Sequence, residues 1–151
     1  MPQTPTSWSL VPYLRVPDAD AAIAFYQRAF GAELVTAVAG PDGKLKMHVE
    51  LNLNGTRLYF ADRRIMSGGS DPNPEDATVV LHLNVPDAVA SAKRAIDAGC
   101  TERSKVEEQF WGDVYGQISD PYGFVWAFLT PGKPKSEAEI AEAMKAMEHA
   151  R

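Results

Sequence analysis

Val16-Pro17-Asp18-Ala19 and Val85-Pro86-Asp87-Ala88 are the same tetrapeptide, and each copy closes a strand-like run and opens a helix-like one. After the first copy an amphipathic stretch runs to Phe30-Gly31-Ala32, and after the second a similar stretch runs to Ala98-Gly99-Cys100. Strand, turn, helix and glycine stop recur in register, which marks an internal repeat. Asp18 is placed to cap the first helix. Ala22, Ile23, Tyr26 and Phe30 then fall at helical spacing, and Gly31 supplies the left-handed stop.

Outward from these anchors, residues 9–16 alternate as a strand, 33–39 read as another, and Gly40-Pro41-Asp42-Gly43 reads as a turn. Met47 to Leu53 and Thr56 to Ala61 flank Asn54-Gly55, a two-residue loop that favours a type I′ hairpin. The second half predicts a strand at 78–85, a helix at 88–98, a weak strand near 101–107 and strands at 114–119 and 124–130. The expected fold is therefore α+β: two fused βαβββ modules whose curved sheets form a shared cleft, plus a C-terminal helix. Module one covers about 9–62, a turn-rich linker about 63–76, module two about 77–130, and a helical tail about 136–150. Ser136 and Glu139 form a capping box for that tail. Its apolar stripe of Ile140, Met144 and Met147 is expected to pack on its own domain, or else on a partner subunit.

The 151 residues are 45% hydrophobic and 23% charged, enough for a real core. A net charge of -5 with scattered Lys and Arg argues against nucleic acid as a partner. No apolar run approaches the roughly 20 residues that span a bilayer, the start of the chain does not read as a secretory leader, and Cys100 is the only cysteine. A cytoplasmic protein without membrane partners is the expectation.

Strand alternation gives the hairpin two faces, and pairing across Asn54-Gly55 sets Glu50 opposite Tyr59 and His48 opposite Ala61. Met47, Val49, Leu51, Leu53, Leu58 and Phe60 form an apolar face. His48, Glu50, Asn52, Arg57 and Tyr59 form a polar one. In the first strand of module two, Leu81 and Leu83 are expected on the helix side, with Val80, His82 and Asn84 opposite. In the first strand of module one, Val11, Tyr13 and Arg15 lie opposite the helix. Trp111 is a candidate aromatic wall, Trp126 a core residue, and Asp120 a turn residue. The candidate binding set is Tyr13, Arg15, His48, Glu50, Tyr59, His82 and Trp111, with Glu50 and His48 the candidates for acid/base chemistry.

Residues 11–34, ending Phe25-Tyr26-Gln27-Arg28-Ala29-Phe30-Gly31-Ala32-Glu33-Leu34, and residues 110–126, opening Phe110-Trp111-Gly112-Asp113, resemble the glyoxalase/bleomycin-resistance/extradiol-dioxygenase (vicinal oxygen chelate) superfamily. The Met47-His48-Val49-Glu50-Leu51 strand and the helical tail are similar to its phosphonate-operon-like, demethylubiquinone-methyltransferase-like branch. The resemblance implies paired βαβββ modules and, in the enzymes, a divalent metal held by His and Glu. It places the ligand positions at Val11, Tyr59, Val80 and Ala127, none of which binds a metal well, so neither metal nor cofactor is expected. Two functions stay open. One is a metal-free protein that sequesters an aromatic or cationic metabolite or antibiotic. The other is a lyase, isomerase or dioxygenase-type enzyme with a relocated metal site at His48, Glu50 and His82, or with metal-free acid/base chemistry. The resemblance also implies a homodimer.

Overall fold

The computed structural model describes residues 3–65 and 69–150. Met66, Ser67 and Gly68, in the expected linker, lie outside the described residues. In order come β1 (Tyr13–Val16), α1 (Ala19–Phe30), β2 (Glu33–Ala39), β3 (Lys46–Leu53) and β4 (Thr56–Asp62). After a 3-10 turn at Pro74–Asp76 follow β5 (Leu81–Asn84), α2 (Ala88–Ala98), β6 (Thr101–Glu108), β7 (Val114–Ser119), β8 (Val125–Thr130) and α3 (Glu137–His149). The sheets have the orders β1-β4-β3-β2 and β5-β8-β7-β6, the same permutation of successive strands, so the repeat in the sequence is a repeat in topology. The chain divides into two compact units between Ser70 and Asp71, with Arg28–Phe30 grouped with the second.

Both helices begin in the same way. Asp18 caps α1 through the amide of Ala21, and Asp87 caps α2 through that of Ala90. A second acceptor comes from the last strand of each module: the Ala19 amide donates to Asp62 Oδ2 (3.2 Å), and the Ala88 amide to Thr130 Oγ1 (2.7 Å). Two of the orphan amides at each helix start are thereby satisfied. At the far end, Gly31 (φ 67°) closes α1 with amide bonds back to its last turn, as its sequence position predicts. The hairpin turn is equally legible, since Asn54 and Gly55 both have positive φ (50° and 104°), as a type I′ turn requires.

Asp62 is buried and also accepts from Arg64 through Nε (2.8 Å) and Nη2 (2.6 Å). The Arg64 guanidinium holds the Asp62 carboxyl below its ordinary value of 3.8, against the opposing pull of burial. A carboxylate with a lowered folded pKa contributes stability that is complete above its unfolded value and lost as pH falls through the folded one. We therefore expect Asp62→Asn to cost about 1–2 kcal/mol near neutrality and to flatten the fall in stability below about pH 4. Urea midpoints at a series of pH values check this; parallel wild-type and variant curves down to low pH would contradict it.

Each unit has a core on the helix side of its sheet. In the first, Leu14, Val16, Val49, Leu51, Leu53, Leu58 and Phe60 are buried, and Tyr26 of α1 lies 5.8 Å from Phe60. In the second, α2 buries Ala88, Ala92 and Ala95, and Phe30 packs on Trp126 (4.8 Å) and Phe128 (6.0 Å). Trp126 is core and Asp120 serves its turn, both as expected. Asp120 Oδ1 accepts the Tyr122 and Phe124 amides while Oδ2 accepts the Trp126 indole N–H.

Several expectations need correction. The first strands are shorter than predicted, 13–16 rather than 9–16 and 81–84 rather than 78–85, because each pairs only with the short parallel stretch that the last strand offers. Leu81 and Leu83 are only partly buried, unlike Leu14 and Val16 of the corresponding strand β1. Met47 is 44% exposed, lying beyond the segment of β3 that pairs with β4. Within the turn-rich stretch at 63–76, Asn73 caps the 3-10 turn, and Glu75 pairs with Arg103 at 2.6 Å. The tail helix starts at the predicted capping box, with the Glu139 amide on Ser136 Oγ. It buries none of its residues, and Met144 and Met147 stand about half exposed.

Candidate functional site

The polar face of the first sheet carries a connected cluster. Parallel pairing sets Tyr13 beside Tyr59, and the hairpin sets Tyr59 opposite Glu50, as its register predicts. His48, two residues from Glu50 on the same strand, projects from the same face. Tyr13 Oη bonds His48 Nδ1 at 2.9 Å, and His48 Nε2 bonds Glu50 Oε1 at 3.1 Å. With Glu50 ionised, the tautomer that satisfies both contacts has Nε2–H donating to the carboxylate and Nδ1 accepting from the tyrosine hydroxyl. The imidazole also lies 5.4 Å from the Tyr13 ring and 5.1 Å from the Tyr59 ring, and the tyrosines meet edge to face at 6.1 Å.

The His48 and Glu50 side chains are about a quarter exposed. Among the described residues no donor reaches the second oxygen of Glu50. Arg15 sits on the same strand face two residues from Tyr13, exposed and outside this chain of bonds.

The second unit places His82 and Trp111 in a different cluster. His82 stacks on Tyr115 (5.9 Å, 23° between planes) and bonds Asn84 Oδ1 through Nε2 at 3.0 Å. The Trp111 ring lies 5.9 Å from Tyr115, and its indole N–H donates to Asp113 Oδ2 (3.1 Å). Gln117 Nε2 donates to Tyr115 Oη at 2.8 Å, so the phenol is held at its polar end. Sequence reasoning missed Tyr115 and Gln117. Overlaying the second hairpin on the first would have found them, because they occupy the repeat positions of His48 and Glu50.

The histidines that could ligate a metal are each hydrogen-bonded within their own unit. Both nitrogens of His48 are engaged, and Nε2 of His82 is bound to Asn84. Tyr59 stands in register with Tyr13, and Ala127 with His82. Val11 and Val80 offer no donor atom. Among the described residues no three His, Cys, Asp or Glu side chains gather closely enough to hold an ion, whereas a protein site for such metals draws on several convergent ligands. Nor does Cys100 offer a nucleophile, because burial and the nearby Asp120 charge push its thiol up to about 12.

Residues 9–128 match the family described as the Glyoxalase/Bleomycin resistance protein/Dioxygenase superfamily. The uncharacterized protein Rv0887c of Mycobacterium tuberculosis is 41% identical over 143 residues, covering 92% of this chain and 82% of its own. Among solved structures, the Arabidopsis thaliana At5g48480 gene product is 28% identical with a TM-score of 0.63, covering 83% of this chain and 98% of its own. TnmS3, an antibiotic binding protein from Streptomyces sp. CB03234, is 21% identical with a TM-score of 0.62, covering 86% of this chain and all of its own (100%).

Proposed function

Since the chain belongs to the Glyoxalase/Bleomycin resistance protein/Dioxygenase superfamily, we propose that it is a binding protein that sequesters an aromatic or cationic metabolite or antibiotic without a metal ion. The observation that carries this reading is Glu50, a partly exposed carboxylate bonded through one oxygen to His48, whose ring lies 5.4 Å from that of Tyr13 and 5.1 Å from that of Tyr59. Aromatic faces attract cations by roughly 0.5–2 kcal/mol, and a hydrogen bond to a charged group adds about 1.5–3 kcal/mol. Together these favour a cationic planar ligand over a neutral or anionic one. The net charge of -5 acts in the same direction. Fold likeness to an antibiotic binding protein is in keeping with this class of ligand.

A second reading is supported by the bond chain Tyr13–His48–Glu50, which orients an imidazole between a hydroxyl and a carboxylate as acid/base catalysis requires. In that case a bound compound is converted as well as held. One experiment addresses both. Protein treated with a chelator is titrated with N-methylquinolinium, a planar cation, and then incubated with candidate ligands under mass spectrometry. Saturable binding that survives chelation, with the ligand recovered unchanged, is the expected result. Binding lost on chelation and restored by zinc, nickel, manganese or iron would overturn the metal-free reading, and a new product would favour the enzyme.

The protein is further read as a cytoplasmic homodimer. Trp8 and Leu10 are fully exposed, Leu34 and Val38 are 47% and 40% exposed on an edge strand, and the α3 stripe is uncovered. Such apolar surface is what a second copy covers in a stable dimer, where burial of about 1,200 Å² or more is usual. Light scattering at micromolar concentration is expected to give twice the chain mass; a monomer would remove this part of the proposal.

A further inference from the structure

The residues that α2 buries are all alanines, Ala88, Ala92 and Ala95, so its larger apolar side chains stand at the flank of the helix. Val89 and Ile96 are exposed there and, with Lys93 between them, follow the i, i+4, i+7 spacing of one helix stripe. Across an open groove lies Val106, the partly buried residue of the edge strand β6. It is held over Gly116, where a Cβ would come within 2.6 Å of the Val106 Cα. The rims of this groove and of the depression beside it on α2 carry Arg28, Lys93, Arg94 and Lys105 against Asp97 and Glu102. Four cations thus outnumber two carboxylates in a chain of net charge -5. Arg28 is grouped with the second unit, and Arg94 Nε donates to its carbonyl at 2.9 Å. Lys93 bonds Asp97 at 2.7 Å, an exposed pair that contributes little by itself.

Helix α3 has the opposite charge and the same spacing. Ile140, Met144 and Met147 again fall at i, i+4, i+7, with Glu137 one turn before Ile140 and Glu148 one turn after Met144. Over Glu137–His149 four glutamates stand against one lysine. The helix buries none of its residues and, among the described residues, packs broadly on no strand or other helix. The segment leading to it is fixed on the 112–113 loop instead. The Gly132 amide donates to Asp113 Oδ1 at 3.0 Å, and a Cβ at Gly112 would meet the Lys133 carbonyl oxygen at 2.7 Å.

We propose that α3 of one copy lies in the α2/β6 groove of a second copy, which returns the contact about a twofold axis. The proposal rests on the homodimer reading above and assigns its contact surfaces. Both stripes cover two turns, about 10 Å of helix. Met144 and Met147 then meet Val89, Ile96 and Val106, while the glutamates of α3 meet the basic rim.

Reversing the charge of each surface in turn tests this on the full chain. One variant carries Lys93→Glu with Lys105→Glu and the other Glu137→Lys with Glu148→Lys, all at exposed positions. Light scattering over a dilution series gives the dimer dissociation constant, and circular dichroism shows that each variant is folded. Either variant alone sets like charges against each other and should dissociate at least about tenfold more readily than wild type. Mixed in equal amounts, the two variants match every groove with a tail of opposite sign, so the mixed dimer should return to within about threefold of wild type. Met144→Asp, which carries a charge into the groove, should weaken the dimer about tenfold or more. A wild-type dimer that ignores the charge reversals or Met144→Asp overturns the proposal and leaves the homodimer reading standing. Variants that stay dissociated on mixing overturn docking between copies. A wild-type monomer at micromolar concentration overturns both.

Discussion

Replacing Trp126 with alanine is expected to lower stability by about 3–5 kcal/mol and to depress the melting temperature by roughly 10–15 °C for a chain of this size. Trp126 is 2% exposed, lies 4.8 Å from the Phe30 ring, and is among the largest fully buried side chains. Alanine leaves a cavity that flanking rings fill only in part, and it removes the indole donor from Asp120 Oδ2. That carboxylate is itself buried and organises the turn through the Tyr122 and Phe124 amides, so losing a donor there weakens the turn as well. Trp126→Phe keeps most of the volume but loses the N–H and part of the ring system, and should cost less than alanine, about 1–2 kcal/mol. Urea titration of the three proteins is the measurement. An alanine variant within 1 kcal/mol of wild type, or a phenylalanine variant as unstable as the alanine one, would contradict this account of the second core.

Much of the fold was legible because its signals are local. A repeated tetrapeptide, an Asn-Gly turn and a helix-stopping glycine each act within a few residues of chain, and the two-residue loop sets the Glu50–Tyr59 pairing without tertiary information. The superfamily assignment rested on the same stretches. What remained hidden depends on contacts distant in sequence. Asp62 reads as the end of a strand until Ala19 and Arg64 are seen to meet it, and Thr130 is equally silent until it reaches the Ala88 amide. The incomplete burial of Leu81 and Leu83 is likewise not revealed by alternation.

The grouping of polar side chains on the first sheet was legible for the same reason. Strand parity groups Tyr13, Arg15, His48, Glu50, Tyr59 and His82; of these the structure joins Tyr13, His48, Glu50 and Tyr59 through bonds of 2.9 and 3.1 Å and ring contacts of 5.1–6.1 Å. His82 and Trp111 meet around Tyr115 in the second unit, which parity within the first strands did not suggest. Composition says nothing of ring planes or of which carboxylate oxygen is bonded.

The other large effect concerns Glu50. Glu50→Gln preserves the size and a hydrogen-bonding edge of the side chain but removes its charge, so the binding of a planar cation should weaken about tenfold or more. His48→Ala should weaken it less, about threefold, because the imidazole orients the carboxylate and does not carry the attraction. Calorimetric titration of chelator-treated wild-type and Glu50→Gln protein with N-methylquinolinium is the most direct test that this carboxylate face is the ligand site. The account predicts saturable wild-type binding without metal and a tenfold or greater loss in the variant. Equal affinity of the two proteins, or wild-type binding that appears only when a divalent metal is added, would contradict it.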